Sequence, residues 1–322
     1  MVREMTAAEE RDDVVYAIIG PTAAGKTHVG FELARRINAE IISVDSRQVY
    51  RYLDVGTDKI SREDCRIVPH HLVDVADPDE IFTTGDFLVR AGEAIRRIRA
   101  RGRIPLLVGG TPMYYKALEG NFLSENLPKD EKMRAKLEAE AEARGLQSLH
   151  TEMSEADPIG ASRIHPNDKV RILRALELFR LTGRSSAELY ASERKMGIGR
   201  RIVYFAITLP REQLYKKIED RAACQFQSGY PEEVKWLLAH GYSRELPALS
   251  GFGYRELVMF LDGSITFDEA LCGDIKSTKA FSRRQATWFR KFHPILWYDL
   301  SKITMSKTVE DMAMKVSSGF LG

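Results

Sequence analysis

Residues 20–27, Gly-Pro-Thr-Ala-Ala-Gly-Lys-Thr, have the composition and spacing of a phosphate-binding loop. The two glycines allow main-chain N–H groups to point at phosphate oxygens, and a helix that begins behind them adds partial positive charge. The lysine supplies a mobile cation, and the last threonine offers a hydroxyl where Mg2+ would be bound. The stretch therefore predicts a P-loop, without indicating which phosphate compound it binds, formed by Gly20, Pro21, Thr22, Ala23, Ala24, Gly25, Lys26 and Thr27.

The segments on either side of this loop support the prediction. Residues 14–19 form a short, β-branched and non-alternating apolar run, which indicates a buried parallel strand. Behind the loop, Val29, Leu33 and Ile37 have helical spacing. An ordinary strand-to-helix turn with two glycines is the alternative, but the strand, glycine-rich turn and helix together favour a P-loop.

The rest of the chain alternates strand and helix patterns up to about residue 118. Buried strands are predicted at 40–44, 69–75, 104–108 and 201–209, with a helix over 84–101. This alternation predicts an α/β fold with a doubly wound parallel sheet. Residues 119–200 favour helix and contain no buried strand pattern, so we predict an all-helical insertion there. The P-loop core would comprise 1–118 and 201–322, with a helical C-terminal region.

Composition and cysteine spacing restrict the class of protein. Hydrophobic residues make up 44% of the 322 residues and charged residues 29%, which is ordinary for a globular protein. The three cysteines lack a Cys-x-x-Cys spacing and predict neither a disulfide framework nor a zinc site. The sequence shows no apolar signal core and no run of membrane-spanning length. We therefore expect a cytoplasmic monomer with no membrane partner.

The formal net charge is only +2, but charge is unevenly distributed. Residues 120–160 carry nine acidic and five basic side chains, whereas 163–203 carry ten basic and four acidic ones. Residues 276–293 hold six basic side chains and no acidic one. Such segregation suggests an anionic partner larger than one nucleotide, although solvated helix faces would produce the same pattern.

Three polar residues outside the loop are candidates for catalysis. Asp45 follows a predicted parallel strand, at the edge where α/β sheets bind ligands, and could hold Mg2+ or accept a proton, or cap the next segment. Arg221 lies at the margin of a helix's apolar face, so it either snorkels or reaches into a cleft to neutralise phosphate. Thr111, after two glycines, offers a hydrogen bond to a ligand or is a simple turn residue.

Two further segments combine aromatic and basic residues. Residues 251–255, Gly-Phe-Gly-Tyr-Arg, suit stacking on a base and contact with backbone phosphate. A packed aromatic turn is the alternative, and the residues alone favour it. The predicted helix 276–292 carries Lys279, Arg283 and Arg284 beside an aromatic stripe, which a buried stripe with a solvated face explains equally well.

Taken together, these segments resemble one family, the bacterial tRNA dimethylallyltransferases, also called tRNA isopentenyltransferases. The resemblance spans about residues 14–298, and its ordered set of motifs is far more specific than a P-loop alone. It rests on the P-loop and on Ser-Val-Asp-Ser-Arg-Gln-Val-Tyr at 43–50, Asp-Val-Gly-Thr at 54–57, Pro-His-His-Leu-Val-Asp at 69–74, Leu-Val-Gly-Gly-Thr at 107–111, Ile-His-Pro-Asn-Asp at 164–168, Gly-Phe-Gly-Tyr-Arg at 251–255 and Arg-Arg-Gln-Ala-Thr-Trp at 283–288.

The resemblance implies transfer of a dimethylallyl group from dimethylallyl diphosphate to the exocyclic N6 amine of the adenosine 3′-adjacent to the anticodon, with release of pyrophosphate. It implies that the P-loop holds pyrophosphate, with Mg2+ on Thr27, that Arg221 stabilises the leaving group, that Asp45 accepts the amine proton, and that Thr111 helps to place the reacting groups. The partner would be the tRNA anticodon stem-loop. The implied tRNA contacts are Asp45, Ser46, Arg47, Gln48, Thr111, Arg134, Val170, Arg171, Ile172, Leu173, Arg174, Ser250, Gly251, Phe252, Gly253, Tyr254, Arg255, Arg283 and Arg284.

The sequence departs from the family pattern at two places. Lys279-Ala280 stands where many members have Arg-Gln, and Asp58 replaces a usual alanine. We expect neither position to touch the reacting groups, although the first would alter an RNA contact.

Three other functions use the same P-loop. A prenyltransferase acting on free adenine nucleotides would need neither the insertion nor the basic C-terminal helix. A small-molecule P-loop kinase would turn over ATP without RNA. An RNA-binding NTPase switch would show nucleotide-dependent RNA affinity without prenyl transfer.

Overall fold

The structure, a computed structural model, describes residues 14–120, 123–124, 127–192 and 195–321. Within this part of the chain one parallel sheet of six strands has the order β3-β2-β4-β1-β7-β8, and β5 and β6 form a separate antiparallel pair. The strands are β1 Val14–Ile19, β2 Ala39–Val44, β3 His70–His71, β4 Ile104–Gly109, β5 Leu123–Ser124, β6 Lys195–Met196, β7 Arg201–Thr208 and β8 Ile295–Asp299.

Helices connect the parallel strands and continue beyond them, as the predicted α/β class requires. They are α1 Lys26–Arg36, α2 Arg62–Ile67, α3 Thr84–Ala100, α4 Pro112–Leu118, α5 Glu131–Arg144, α6 Leu146–Ala156, α7 Pro158–Ala161, α8 Lys169–Thr182, α9 Ser186–Ser192, α10 Arg211–Gln227, α11 Tyr230–Ala239, α12 Tyr254–Leu261, α13 Phe267–Phe289 and α14 Met305–Ser317.

The sheet brings three chain segments to one edge. β1 lies between β4 and β7, and β2 lies beside β4 with Val44 paired to Gly109. Because parallel strands end at the same edge, Gly20, Asp45 and Gly110 leave the sheet close together. All residues of β1 and β2 are buried, which agrees with the continuous apolar sequence of β1 and the mainly apolar sequence of β2, where Glu40 and Ser43 are the polar residues.

Two strands differ from the sequence prediction. The predicted strand over 69–75 is only His70–His71, because Leu72 and Asp74 have positive φ angles of 64° and 54° that extended backbone does not allow. The edge strand β8 was not predicted. Residues 295–298 are apolar, but so short a run does not distinguish a strand from a helical segment, and most of the strand's residues are half-buried or exposed at the sheet edge.

The chain divides into two compact units. Residues up to Glu119 and from Ile198 onward form the unit that contains the parallel sheet, and Gly120–Gly197 forms the other, against the 119–200 predicted. The second unit encloses its own core, which includes Leu137, Leu149 and Met153. The short β5–β6 pair in this unit was not anticipated from the sequence.

Candidate active site

A cavity of about 380 Å3 opens at the edge of the sheet where β1, β2 and β4 end. Its wall includes the P-loop residues Thr22, Ala23, Gly25, Lys26 and Thr27. The other side is polar and carries both signs of charge: Asp45, Gln48, Asp58 and Arg221. The predicted phosphate loop and two of the three predicted catalytic residues therefore face one space.

The P-loop conformation depends on its two glycines. Gly20 has a φ of 146°, and a Cβ there would collide with the main-chain oxygen of Ile207 on the neighbouring strand β7. Gly25 caps α1 with a φ of 97°. Because glycine has no side chain to hold the first N–H groups of α1, these donors are available to an anion.

Lys26 is the cation at the bottom of this cavity. Its Nζ donates to the carbonyl oxygen of Pro21 at 2.8 Å. The pKa of Lys26 is lowered to about 8, chiefly by burial; Asp45 and Asp58 act in the opposite direction, and nearby Arg221 acts in the same direction as burial. A bound diphosphate would supply the negative charge that this poorly solvated ammonium lacks.

Arg221 reaches into the cavity from α10, whose buried face includes Ile218. Its Nη2 donates to Thr22 Oγ1 at 2.9 Å, and its Nη1 lies 3.5 Å from Asp58 Oδ2. Of the two interpretations of Arg221, the structure agrees with the one in which the side chain enters a cleft.

Asp58 corrects one sequence expectation. We expected this position to lie away from the chemistry, but its carboxylate lines the cavity and contacts Arg221. The residue adopts a left-handed φ of 52°, which turns the loop after Thr57 toward the P-loop. Sequence reasoning missed this because the partners of Asp58 are distant in the chain.

Asp45 caps the segment that follows it and also faces the cavity, while its role in catalysis stays a prediction. Its Oδ1 accepts from the N–H groups of Arg47 at 2.8 Å and Gln48 at 3.3 Å, which is capping geometry, and the residue also lines the cavity. Thr111 lies beside it, because Thr111 Oγ1 accepts from the N–H of Ser46 at 3.1 Å. Asp45 and Thr111 thus lie near each other at the ends of β2 and β4, connected through Ser46.

Arg47 is bound within the protein. Its Nη2 donates to the carbonyl oxygen of Ala248 at 2.8 Å, and its guanidinium carbon lies 5.1 Å from the ring centre of Tyr254. A Cβ on Gly251 would collide with this guanidinium. The half-buried guanidinium is thus partly engaged within the protein, and its predicted contact with RNA stays a prediction.

The turn 251–255 is the packed aromatic turn, which was the alternative to base stacking. Tyr254 is 1% exposed, and its hydroxyl donates to Glu233 Oε1 at 2.7 Å. Gly253 is buried, and the ring of Phe252 packs 5.1 Å from that of Phe281. Of the predicted RNA contacts in 250–255, Ser250 and Arg255 are the exposed side chains.

Glu233 is a residue that the sequence did not identify. Its carboxylate accepts from the N–H groups of Asp54 at 2.7 Å, Val55 at 2.6 Å and Gly56 at 3.2 Å. Burial raises the pKa of Glu233, while these hydrogen bonds and that of Tyr254 act in the opposite direction. The glutamate therefore fixes the main chain at 54–56. The two residues that follow, Thr57 and Asp58, line the cavity.

The predicted RNA-binding residues of the insertion divide by exposure. Ile172 and Leu173 are buried in its core, so their side chains are not available to RNA. Val170 is 79% exposed, and Arg171 is also exposed. Two arginines are held by the buried carboxylate of Glu177, namely Arg134 at 3.1 Å and Arg174 at 2.8 Å.

In the unit that contains the sheet, Arg283 and Arg284 are exposed on α13. Lys279, one of the residues that depart from the family pattern, is paired with Glu219 at 2.5 Å. The exposed arginines of α13 remain available to a polyanion.

The oxygen atoms around Thr27 suit a magnesium ion. Thr27, Ser43 and Asp45 line the same cavity and offer hydroxyl and carboxylate oxygens. Mg2+ binds a few such protein oxygens and completes its shell with water and substrate phosphate. Among the described residues no group of three or more His, Cys, Asp or Glu is arranged to hold a metal by itself.

A P-loop at the carboxyl edge of a parallel sheet, with Lys26 and Arg221 in one cavity, defines a P-loop-type α/β protein whose cavity suits an anion of more than one phosphate. A family model described as IPP transferase matches residues 48–292, and one described as isopentenyl transferase matches residues 13–68.

Known proteins narrow this class further. The chain is 41% identical to the tRNA dimethylallyltransferase of Heliobacterium modesticaldum, with 95% of both chains covered. It is similar to the crystal structure of the full-length tRNA isopentenylpyrophosphate transferase from Bacillus halodurans, with a TM-score of 0.70, 36% identity and 95% and 96% of the two chains covered. A eukaryotic dimethylallyltransferase acting on tRNA shares the fold, with a TM-score of 0.79, 23% identity and 96% and 79% coverage. The chain belongs to the tRNA dimethylallyltransferase family, a family of transferases.

In the part of the chain that the structure describes, no helix is both long enough and apolar enough to cross a membrane.

Proposed function

We propose that this protein transfers a dimethylallyl group from dimethylallyl diphosphate to the exocyclic N6 amine of the adenosine 3′-adjacent to the anticodon of tRNA. The observation that carries this proposal is the shared cavity, in which the P-loop, Arg221 and Asp45 face one another in a member of this family. A bond forms between the amine nitrogen and the terminal allylic carbon, while the bond from that carbon to the diphosphate oxygen breaks. The electron pair leaves with the diphosphate, and the amine proton passes to a base.

The P-loop side of the cavity stabilises the leaving group. Negative charge grows on the diphosphate as the carbon–oxygen bond breaks, and preorganised donors aimed at that charge lower the barrier. Lys26, the N–H groups at the start of α1 and the guanidinium of Arg221 are such donors. Arg221 exchanges its contact with Asp58 for one with phosphate when the substrate binds.

Asp45 is the proton acceptor in this proposal. Its Oδ1 is held by the N–H groups of Arg47 and Gln48, which fixes the carboxylate at the end of β2. Thr111, through its hydroxyl, positions the reacting amine beside Asp45. Because an exocyclic adenine amine is a weak nucleophile, correct orientation and removal of its proton both contribute to the rate.

A magnesium ion would be held by Thr27, with Ser43 or Asp45 reaching it directly or through water. When bound, such an ion neutralises diphosphate charge and makes the leaving group more stable. Without it, the cavity offers Lys26 and Arg221 against the charge of a diphosphate.

The tRNA surface in this proposal uses exposed side chains only. They come from the insertion and from the sheet unit, and phosphate contacts by such arginines would position the RNA while unstacked anticodon-loop bases supply specificity. The exposed candidates are Arg134, Val170, Arg171, Ser250, Arg255, Arg283 and Arg284. The target adenine would leave the anticodon stack to reach the cavity.

The test is prenyl transfer from labelled dimethylallyl diphosphate to an unmodified anticodon stem-loop, with AMP and ATP assayed in parallel. We expect label on the RNA alone. Label on AMP would identify a free-nucleotide prenyltransferase, and ATP turnover without label would identify a kinase or an NTPase. An Asp45→Asn variant keeps the main-chain hydrogen bonds of this residue but cannot accept the proton, so its loss of transfer tests the assignment of the base.

A further inference from the structure

The side-chain amide of Gln285 connects the P-loop to the end of β4, two segments that line the cavity. This residue lies in the last third of the long helix α13 and is 3% exposed. Its Oε1 accepts from the N–H of Thr22 in the P-loop at 2.9 Å. Its Nε2 donates to the carbonyl oxygen of Gly110, at the end of β4, at 2.6 Å.

The two residues that Gln285 holds are themselves attached to the proposed machinery. Thr22 accepts a hydrogen bond from Arg221 at 2.9 Å, so its side chain and its main chain are fixed from opposite directions. Gly110 precedes Thr111 and leaves room for the amide of Gln285, because a Cβ on Gly110 would lie 2.5 Å from Gln285 Nε2, whereas Lys26 Nζ would be at an ordinary contact distance of 3.5 Å. One buried amide therefore sets how far the P-loop lies from the segment that carries Thr111.

The chemistry of the two contacts requires an uncharged group with one acceptor and one donor. The main-chain nitrogen of Thr22 can only donate, and the carbonyl of Gly110 can only accept, so the oxygen and nitrogen of Gln285 have one consistent orientation. Because the side chain is buried, its removal would leave a donor and an acceptor without partners, which costs more than losing an exposed hydrogen bond.

We propose that Gln285 is a positioning residue for the diphosphate, which acts by holding the P-loop at Thr22 and the β4 end at Gly110 in fixed register. This inference rests on the proposed function only in the identity of the ligand. It predicts that diphosphate binding depends on Gln285 even when no prenyl group and no RNA are present.

The first measurement is calorimetric titration of the full-length protein with inorganic diphosphate and Mg2+. Gln285→Met keeps the length of the side chain and removes both hydrogen bonds. We expect its Kd for diphosphate and its KM for dimethylallyl diphosphate to rise about tenfold, the effect of losing one good hydrogen bond to an ordered loop. The KM for the RNA should stay within about twofold of the wild-type value.

The matched control is Ser282→Ala on the same helix. Ser282 is 1% exposed, and its Oγ donates to the carbonyl oxygen of Lys279 within α13. This variant also removes a buried hydrogen bond from α13, but that bond involves neither the P-loop nor the end of β4. We expect it to bind diphosphate like the wild type, and a loss equal to that of Gln285→Met would overturn the proposal.

Gln285→Glu gives a sharper readout that a purely structural role would not produce. A protonated carboxyl can accept from Thr22 and donate to Gly110, whereas the ionised form places negative charge against a carbonyl oxygen and near the ligand. We expect this variant to bind diphosphate nearly as tightly as the wild type at acidic pH and to weaken as pH rises. Each measurement is expressed as a ratio to the wild type at the same pH, since the ligand also ionises.

A pH-independent ratio for Gln285→Glu, together with unchanged diphosphate binding in Gln285→Met, would contradict the positioning role. The outcome is separable from that of the proposed function. Wild-type protein that binds diphosphate in a Gln285-dependent way but transfers no prenyl group would contradict the proposed reaction and support this inference. Normal prenyl transfer by the wild type, with unchanged kinetics in Gln285→Met and Gln285→Glu, would support the proposed reaction and contradict this inference.

Discussion

The two glycine-rich turns of this chain, 20–25 and 251–253, have similar composition and serve opposite purposes. In the first, Gly20 and Gly25 adopt φ angles of 146° and 97° and leave main-chain N–H groups facing a cavity. In the second, Gly251 and Gly253 make room for the side chains of Arg47 and Tyr230. One turn is open to a ligand, and the other is filled by the protein.

The difference arises from what the surrounding elements place against each turn. A strand end and a helix N-terminus flank the first turn, and the first N–H groups of a helix have no partner within that helix. Helix α11 and the 47–50 segment cover the second, and they contribute Tyr230, Glu233 and Arg47. Composition alone therefore does not separate a binding turn from a packed one.

The largest expected effect is on the open turn. Lys26→Met should lower kcat/KM for prenyl transfer by about 100- to 1000-fold, the range for one preorganised charge donor at a developing oxyanion. The melting temperature should not fall, because burial of the charged lysine is unfavourable and its removal therefore costs little stability. Steady-state kinetics with dimethylallyl diphosphate, alongside thermal unfolding, checks both. Lys217→Met, which changes an exposed lysine at the same cavity, should change the rate by only a few-fold.

A second effect concerns the proton acceptor. Asp45→Asn should reduce kcat by about 100-fold, at the lower end of general-base contributions, while substrate KM values and the melting temperature stay close to wild type. The amide oxygen can still accept from Arg47 and Gln48, so the local fold is retained. Single-turnover kinetics measures the chemical step. Asp58→Asn, at the other carboxylate of the cavity, is expected to retain kcat, and an equal loss there would remove the distinction between the two.

The pH dependence follows from Lys26. Its pKa in the ligand-free protein is lowered to about 8, and only the protonated form attracts diphosphate. We expect kcat/KM to fall about tenfold per pH unit above pH 8, since this parameter reports the free enzyme. In the unfolded chain the pKa of this lysine is 10.5, so between pH 8 and 10.5 the unfolded state binds more protons than the native state. The stability of the ligand-free protein should therefore rise with pH over this range.

A pH series of initial rates and of denaturant unfolding checks these two opposite trends. In Lys26→Met the stability should no longer rise over this range, and the low residual kcat/KM should no longer fall above pH 8. If kcat/KM of the variant still falls above pH 8, that fall belongs to the titration of another group.

The smallest effect concerns the packed turn and is a loss of stability. Gly251→Ala should destabilise the protein by about 1–3 kcal/mol, because the new methyl group displaces the guanidinium of Arg47 from Ala248 and Tyr254. Denaturant unfolding measures the loss. In the double variant with Arg47→Ala, the clash is absent, so the two changes should be less than additive. Additive losses would contradict the proposed packing.

The sequence predicted the elements that depend on local pattern. The buried strand 14–19, the P-loop and helix 84–101 all have contiguous signals, and the structure places β1, the loop and α3 there. The edge strand β8 was missed because its apolar run covers only residues 295–298, which is too short to distinguish a strand from a helical segment. The 69–75 strand was overestimated because a positive φ at Leu72 leaves no trace in hydrophobicity.

The site was predictable only where its chemistry is local. Residues 20–27 and Asp45 could be recognised because a loop and a strand end are adjacent in the chain to the elements that position them. The roles of Glu233 and Gln285 could not, because their partners lie at Asp54–Gly56 and at Thr22 and Gly110, far away in sequence. Neither residue type in its own helix indicates a partner across the fold.

By itself, the sequence determined the phosphate-binding loop, the parallel α/β class and the family, since each depends on residue types at short, ordered spacings. Only the tertiary structure decided that Arg221 enters the cavity, that Asp58 joins it and that Tyr254 is buried, with the guanidinium of Arg47 over its ring. The physical reason is the same in each case. The direction of a side chain on a helix or a loop is fixed by the element packed against it, and that element comes from elsewhere in the chain.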